Sequence, residues 1–284
     1  MSSFAAALSA FAQTVGPASR LRIAPTPSGF LHLGNGLNFA LIALLAQASP
    51  REKAQVLLRI DDLDADRKRD AYEQDIFDTL QWLQIIWDHA PVRQSDAARK
   101  LGYESLLSQL RDTGRVFACQ KSRRELEVFQ GKYPDEFRNQ GLDLDAPNVA
   151  WRIQTPPEFP LPDFVIRRRD GIASYQVASL ADDLEMRITH LVRGKDLENS
   201  TLAQQYLASL IAADHFLKIK VLHHPLLLGV SGEKLSKSAG ATALKTLREA
   251  GESPRIVYKR LGEWLDVPGE TASALQESLR TLVG

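Results

Sequence analysis

The chain has 284 residues, 44% of them hydrophobic and 25% charged, which is ordinary for a globular protein and long enough for one large core with a small attachment. Its 35 basic residues cancel its 35 acidic ones, so net charge advertises no nucleic-acid partner and any such contact has to be a local patch. The single cysteine, Cys119, excludes an intrachain disulfide or a cysteine-rich metal cage and suits a cytoplasmic setting, and no apolar run reaches the roughly 20 residues of a membrane span.

Met1–Gln13 is alanine-rich without a basic n-region, and reads as a short amphipathic helix, not a secretory signal. Leu21–Ala24 reads as a strand running into a Pro/Ser/Gly turn, followed by an uncharged buried helix over Leu37–Ala46. Gln55–Ile60 is a second apolar strand, then come an acidic turn and an amphipathic helix near Ala71–Leu83. Strand, helix, strand at that spacing predicts a βαβ unit with parallel pairing. A helix around Arg99–Thr113 leads to a strand at Val116–Ala118.

Lys121–Asn148 is charged and turn-rich, with little apolar periodicity, and reads as an insertion on the parallel core. Thr155–Pro162 is a proline-dense loop. Strands are expected at Phe164–Arg168, Tyr175–Ser179, Ile188–Val192 and Val221–His223, with a helix from about Ser200. From Pro254 onward the period is helical, with Ile256, Leu261, Leu265, Leu275 and Leu279 as inward positions.

Two short segments carry the chemistry. In His32-Leu33-Gly34-Asn35 a helix N-terminus offers unpaired N–H groups and the positive end of a dipole, which together receive anions. Gly34 and Gly36 permit close backbone approach, while His32 and Asn35 add side-chain donors; a plain strand-to-helix turn capped by Asn35 is the other reading. Lys234-Leu235-Ser236-Lys237-Ser238, bounded by Gly232 and Gly240, is a loop whose Lys234 and Lys237 can stabilise charge on a leaving pyrophosphate, or simply be solvated.

Together, in this order, these segments resemble the two ATP signatures of class I aminoacyl-tRNA synthetases. Arg22 to Gly29, Leu58 to Asp64, Val192 to Leu197 and the lysine loop are similar to the glutamyl-tRNA synthetases, with Leu235 where methionine is frequent. Only 46 residues (284 − 238) follow Ser238, so the chain most resembles the truncated paralogues, the glutamyl-Q tRNA(Asp) synthetases. The resemblance implies an α/β, Rossmann-like parallel-sheet nucleotide-binding core with a small inserted subdomain and a short C-terminal helical extension. The expected division is core over 1–118 and 161–240, insertion over 119–160, and extension over 241–284.

It also implies residue roles: His32, Lys234 and Lys237 as catalytic residues, and Gly34, Asn35 and Ser236 as further ATP contacts. Arg22, Ala24, Thr26, Asp61, Tyr175 and Arg193 would bind glutamate, arginine supplying the planar fork that suits a carboxylate. Asp61 departs from the family, which has glutamate facing the substrate ammonium; Asn35 and Gln176 are smaller departures. In the acidic turn, Asp62, Asp64, Asp66 and Glu73 copy a calcium-loop spacing, but Arg67 stands where glycine is needed and a strand precedes it, so a local turn involving Asp64 and Arg67 is expected.

Relatives carry a zinc knuckle in the insertion. Cys119 and Tyr133 fit it, whereas Lys121 and Phe137 replace two thiolates, so zinc is not expected. The resemblance implies a monomeric, cytoplasmic ligase that uses ATP with Mg2+, makes glutamyl-adenylate and transfers glutamate to queuosine in tRNA(Asp). A glutamyl ligase acting on a small amine or carrier protein, a nucleotidyltransferase and a non-catalytic binding protein are the alternatives. Arg167–Arg169, Lys121 with Arg123 and Arg124, and Lys218 with Lys220 are the candidate RNA patches.

Overall fold

The computed structural model describes residues 3–47, 53–64, 68–129, 133–138, 141–226 and 243–283. The chain opens with α1 (Ser3–Ala12), β1 (Arg20–Ile23), α2 (Leu33–Ala46), β2 (Gln55–Ile60), α3 (Asp70–Trp82) and β3 (Asp88–Arg93). It continues through α4 (Ala97–Asp112), β4 (Val116–Cys119), α5 (Arg123–Glu127), α6 (Asp135–Arg138), β5 (Ala150–Ile153), β6 (Phe164–Arg167) and α7 (Tyr175–Glu185). Then come β7 (His190–Gly194), α8 (Glu198–Leu210), α9 (Asp214–Leu217), β8 (Lys220–His224), α10 (Leu244–Glu249), α11 (Arg255–Leu265) and α12 (Ala272–Val283).

The chain forms two compact units. Met1–Ser95, Ile188–Leu197 and Ile219–Gly284 make the first; Asp96–Arg187 and Glu198–Lys218 make the second. In the first, β1, β2 and β3 form a parallel sheet with β2 central, and β7 pairs in parallel with β8. The Thr189 N–H donates to Arg20 O at 3.0 Å, and the Arg20 N–H to Thr189 Oγ1 at 2.8 Å, setting the start of β7 beside the start of β1. The expected parallel α/β core is therefore what the chain builds.

Why α2 is uncharged follows from its surroundings. Leu37, Leu41 and Leu45 form one fully buried stripe, and Phe39, Ala40, Ile42, Ala43, Leu44 and Ala46 bury the remaining faces. A helix apolar all round has to be covered on every side. The sheet lies against it, and α11 and α12 pack on it from the C-terminal end of the chain. Each fully buried leucine contributes roughly 1.5–3 kcal/mol.

Two expectations in this region need correction. Ile256 is 42% exposed, and Val257 takes the inward position. Because α11 starts at Arg255, Val257, Leu261 and Leu265 share one stripe at four-residue spacing, and Ile256 falls about 100° away from it. Leu261, Leu265, Leu275 and Leu279 are buried as expected. Gly36 serves packing: a Cβ there would lie 2.9 Å from Leu244 Cδ1 and 3.6 Å from Val257 Cγ1, so the close approach it permits is to leucine.

The second unit holds an antiparallel sheet in the order β4, β5, β6. Tyr175–Ser179 is the start of α7, not a strand. Five residues of apparent alternation cannot separate a period of 2 from one of 3.6; the burial of Val177, Ala178, Leu180 and Asp182 shows the helical face. The buried Asp182 Oδ1 accepts from Tyr103 OH on α4 at 2.9 Å, a partner such a carboxylate needs. Among the described residues, no helix is long and apolar enough to cross a membrane.

Candidate active site

β1, β2 and β7 run the same way and end at Ile23, Ile60 and Gly194. Ligands bind open α/β sheets outside these carboxyl ends. Each of the three strands carries a buried arginine one residue before its end: Arg22, Arg59 and Arg193. Arg22 stands opposite Leu57 in register, so Arg59, two residues further on, shares its face of the sheet. A buried guanidinium is costly without compensating partners, and Arg59 has the Asp61 carboxylate as one of its own.

Arg59 was not singled out from sequence, although a charge inside the apolar run Val56–Ile60 is a signal. Its Nε and Nη2 donate to Asp61 Oδ1 and Oδ2 at 2.6 and 3.1 Å, with side-chain exposures of 0% and 8%. This fork-to-carboxylate geometry fixes the orientation of Asp61. The Asp61 N–H donates to Pro25 O at 2.9 Å, which ties the acidic turn to the Ala24–Thr26 loop. Ala24 is half-buried and Thr26 exposed on that loop.

A polar network steadies the same turn. Asp62 accepts from the Ser95 N–H (2.9 Å), Ser95 Oγ (2.7 Å) and Lys68 Nζ (2.9 Å). Lys68 also reaches Glu73 at 3.2 Å, and Glu73 takes Arg93 at 2.7 Å. Burial pushes the Asp62 carboxyl up, but the Ser95 hydroxyl, Lys68 and the Ser95 N–H outweigh it and hold it below the usual carboxylate range. Asp62 and Glu73 thus serve this network, in keeping with a structural turn; Asp66 and Arg67 lie outside the described residues.

His32 is the N-cap of α2 with extended backbone, and Asn35 Oδ1 accepts the His32 N–H at 3.1 Å. That is the back-reaching half of a capping box, so Asn35 does cap. Gly34 and Asn35 lie in the first turn, where the Asn35 N–H already donates to His32 O at 2.9 Å. The structure therefore gathers His32, Gly34 and Asn35 at one helix start, and Arg22, Ala24, Thr26, Asp61 and Arg193 at one sheet edge. Tyr175 lies in the second unit at the first position of α7, 40% exposed. Lys234, Ser236 and Lys237 lie outside the described residues.

In the second unit the four knuckle positions come together without a ligand set for zinc. Tyr133 OH donates to Cys119 Sγ at 2.9 Å, and Lys121 Nζ lies 4.9 Å from the Phe137 ring centre. Phe117, Phe137 and the Arg152 guanidinium surround Tyr133 at 5.2, 6.0 and 4.8 Å. One thiol, one phenol, an ammonium and a phenyl ring do not make a tetrahedral zinc site. Of the basic clusters, Arg167 lies over Trp151 at 5.0 Å, Arg168 pairs with Asp170 at 2.6 Å, and Arg169 donates to Gln120 O.

The family profile described as tRNA synthetases class I (E and Q), catalytic domain, matches residues 19–140 and 145–265. The chain belongs to this family. It is 40% identical over 253 residues to a glutamyl-Q tRNA(Asp) synthetase of Synechococcus sp. (strain CC9605), covering 87% of this chain and 83% of that one. It is 39% identical over 241 residues to the protein of that name from Pseudomonas syringae pv. syringae (strain B728a), covering 78% of each. Against a glutamate–tRNA ligase of Synechococcus sp. (strain JA-3-3Ab) identity is 30%, over 91% of this chain but 60% of the relative.

The fold is similar to that of a glutamate-tRNA synthetase from Elizabethkingia anophelis, with a TM-score of 0.73 and 22% identity. That match spans 93% of this chain and 66% of the other.

Proposed function

We propose that this chain is a cytoplasmic, monomeric ligase that condenses glutamate with ATP to glutamyl-adenylate and pyrophosphate, then transfers glutamate to the queuosine base of tRNA(Asp). The observation that carries the reading is the sheet edge: buried Arg22 and Arg193 each stand one residue before the carboxyl end of a strand, and Asp61, oriented by Arg59, follows the end of a third. A dicarboxylic amino acid needs cations for its side chain and an anion for its ammonium. The arginines and Asp61 meet that demand, since each carboxylate oxygen held by Arg59 keeps a second lone pair. The names of the relatives at 35–40% identity point the same way.

In the proposed reaction the substrate α-carboxylate attacks the α-phosphorus, one C–O–P linkage forms, and the bond to pyrophosphate breaks. No covalent enzyme intermediate is needed, so catalysis is positioning plus charge stabilisation. His32, Gly34 and Asn35 would receive phosphate oxygens at the α2 start, with Lys234, Ser236 and Lys237 meeting the leaving pyrophosphate. Among the described residues no group of three or more His, Cys, Asp or Glu could hold a metal. Mg2+ would accompany the nucleotide, held by phosphate oxygens and water.

The test is transfer of labelled glutamate to tRNA(Asp) with and without queuosine. Label on the modified tRNA alone is expected. Equal label at the 3′ end of tRNA(Glu), or on a small amine or carrier protein only, overturns the acceptor.

A further inference from the structure

Asp75 has no place in the proposed chemistry, yet it is a carboxylate only 2% exposed on a helix that otherwise buries Ile76, Thr79 and Leu80. Its two oxygens are divided between distant parts of the chain. Oδ2 accepts the Leu31 N–H at 2.9 Å, immediately before the α2 cap His32, and Oδ1 accepts from Arg248 Nη2 on α10 at 2.5 Å. Arg248 Nη1 also lies 3.6 Å from Asp78 Oδ2, one turn along α3.

The start of α10 is fastened to the same spot by backbone. Leu244 N–H donates to Leu31 O at 2.8 Å, and His32 and Ala243 form an antiparallel bridge. Leu31 therefore has its N–H held by Asp75 and its carbonyl held by Leu244. Lys245 Nζ sits 4.3 Å from the centre of the Phe30 ring, and Leu244 packs on Gly36 inside α2. In sequence, Ala243 is five residues beyond Ser238, the last residue of the lysine motif (243 − 238).

A buried ion pair is a poor way simply to hold a helix on a core, because apolar residues of similar size do so without desolvating two charges. What the pair adds is registration: a carboxylate with two fixed acceptor positions sets the distance between the turn before His32 and the helix after the lysine motif. We propose that Asp75 and Arg248 are positioning residues. They hold the turn before His32 against the start of α10, so that the nucleotide contacts of the α2 start are aligned for reaction. This rests on the ATP-dependent activation proposed above and deepens it.

The experiment compares wild type, Arg248→Gln, Arg248→Lys and Asp75→Asn in glutamate-dependent ATP–pyrophosphate exchange, normalised to folded protein and run well below each melting temperature. Asp75→Asn keeps an acceptor for the Leu31 N–H while removing the charge that faces Arg248. Misplacement by about 1 Å costs roughly 100-fold in rate, so Arg248→Gln is expected to lose kcat on that scale and to weaken ATP, with the KM for glutamate unchanged. Arg248→Lys, which keeps a cation, is expected to recover part of the loss.

A merely stabilising pair would lower the melting temperature and leave kcat and the KM for ATP at wild-type values. That result in Arg248→Gln overturns the proposal, or in Arg248→Lys and Asp75→Asn if Arg248→Gln does not fold. If wild type itself shows no glutamate-dependent exchange, the activation reading fails instead. The clasp is then judged by ATP–Mg2+ titration calorimetry, where an unchanged dissociation constant in Arg248→Gln overturns it.

Discussion

Leu244 and Gly36 form a matched pair whose energetics can be worked from the contact between them. Leu244 is fully buried, and the methyl that Gly36→Ala would add lies 2.9 and 3.6 Å from its two terminal carbons. Leu244→Ala alone is expected to cost about 2–5 kcal/mol through lost burial and an unfilled cavity. Gly36→Ala alone sets about 0.5–1 kcal/mol of backbone gain in the helix against about 1–3 kcal/mol of overpacking, a net change from near zero to mildly destabilising. In the Leu244→Ala background the new methyl enters vacated space. The steric term disappears, the backbone gain remains, and a buried carbon adds about 0.8 kcal/mol.

The two changes should therefore couple favourably by about 1–3 kcal/mol in a double-mutant cycle. Urea unfolding of the four proteins measures this. A Trp151→Phe background confines the fluorescence to Trp82, Trp87 and Trp264, all in the first unit. Equal m-values are the check that only stability has changed. Additivity within about 0.5 kcal/mol would refute the reasoning, because it would mean that Leu244 does not lie over Gly36.

Three further outcomes are expected. Asp61→Asn removes the bidentate partner of the fully buried Arg59, which should cost about 3–5 kcal/mol in urea unfolding and abolish glutamate activation; a loss under about 1 kcal/mol contradicts the pairing. Burial holds His190 and His224 below the ordinary histidine value of 6.5, so the folded state keeps them neutral while the unfolded chain takes up protons. Their contribution is present above pH 6.5 and lost as pH falls below it; an unfolding series from pH 8 to 5 should be flatter in His190→Asn/His224→Asn, and an identical slope is the contrary result. The aromatic and thiol cluster around Tyr133 should leave the purified protein without stoichiometric zinc and its unfolding unaffected by EDTA, whereas zinc released together with a loss of structure would contradict the packing account.

Legibility in the sequence followed how local each signal was. The run from Leu37 to Ala46 announces a buried helix, and Gln55–Ile60 an apolar strand, because apolar residues dominate each. The strands Asp88–Arg93 and Ala150–Ile153 went unread: the first is polar and largely exposed, and the second is four residues long. Tyr175–Ser179 was misread because a capped helix start and a short strand share the same alternation. The sheet-edge residues Arg22, Asp61 and Arg193 were legible through motifs, but Arg59 was not, since its partner is defined by where two side chains meet. Asp75 and Arg248 are separated by 173 positions and belong to no motif; only folding brings them together.

The measurement that bears most directly on the account is ATP–pyrophosphate exchange by the purified protein without tRNA, with glutamate, glutamine and aspartate compared in turn. Exchange that depends on glutamate, and is lost when Arg22 or Arg193 is replaced by glutamine in a protein that still folds, is the expected result. Exchange equally supported by glutamine, or unaffected by losing both arginines, would contradict a sheet edge built to hold a carboxylate side chain beside the nucleotide.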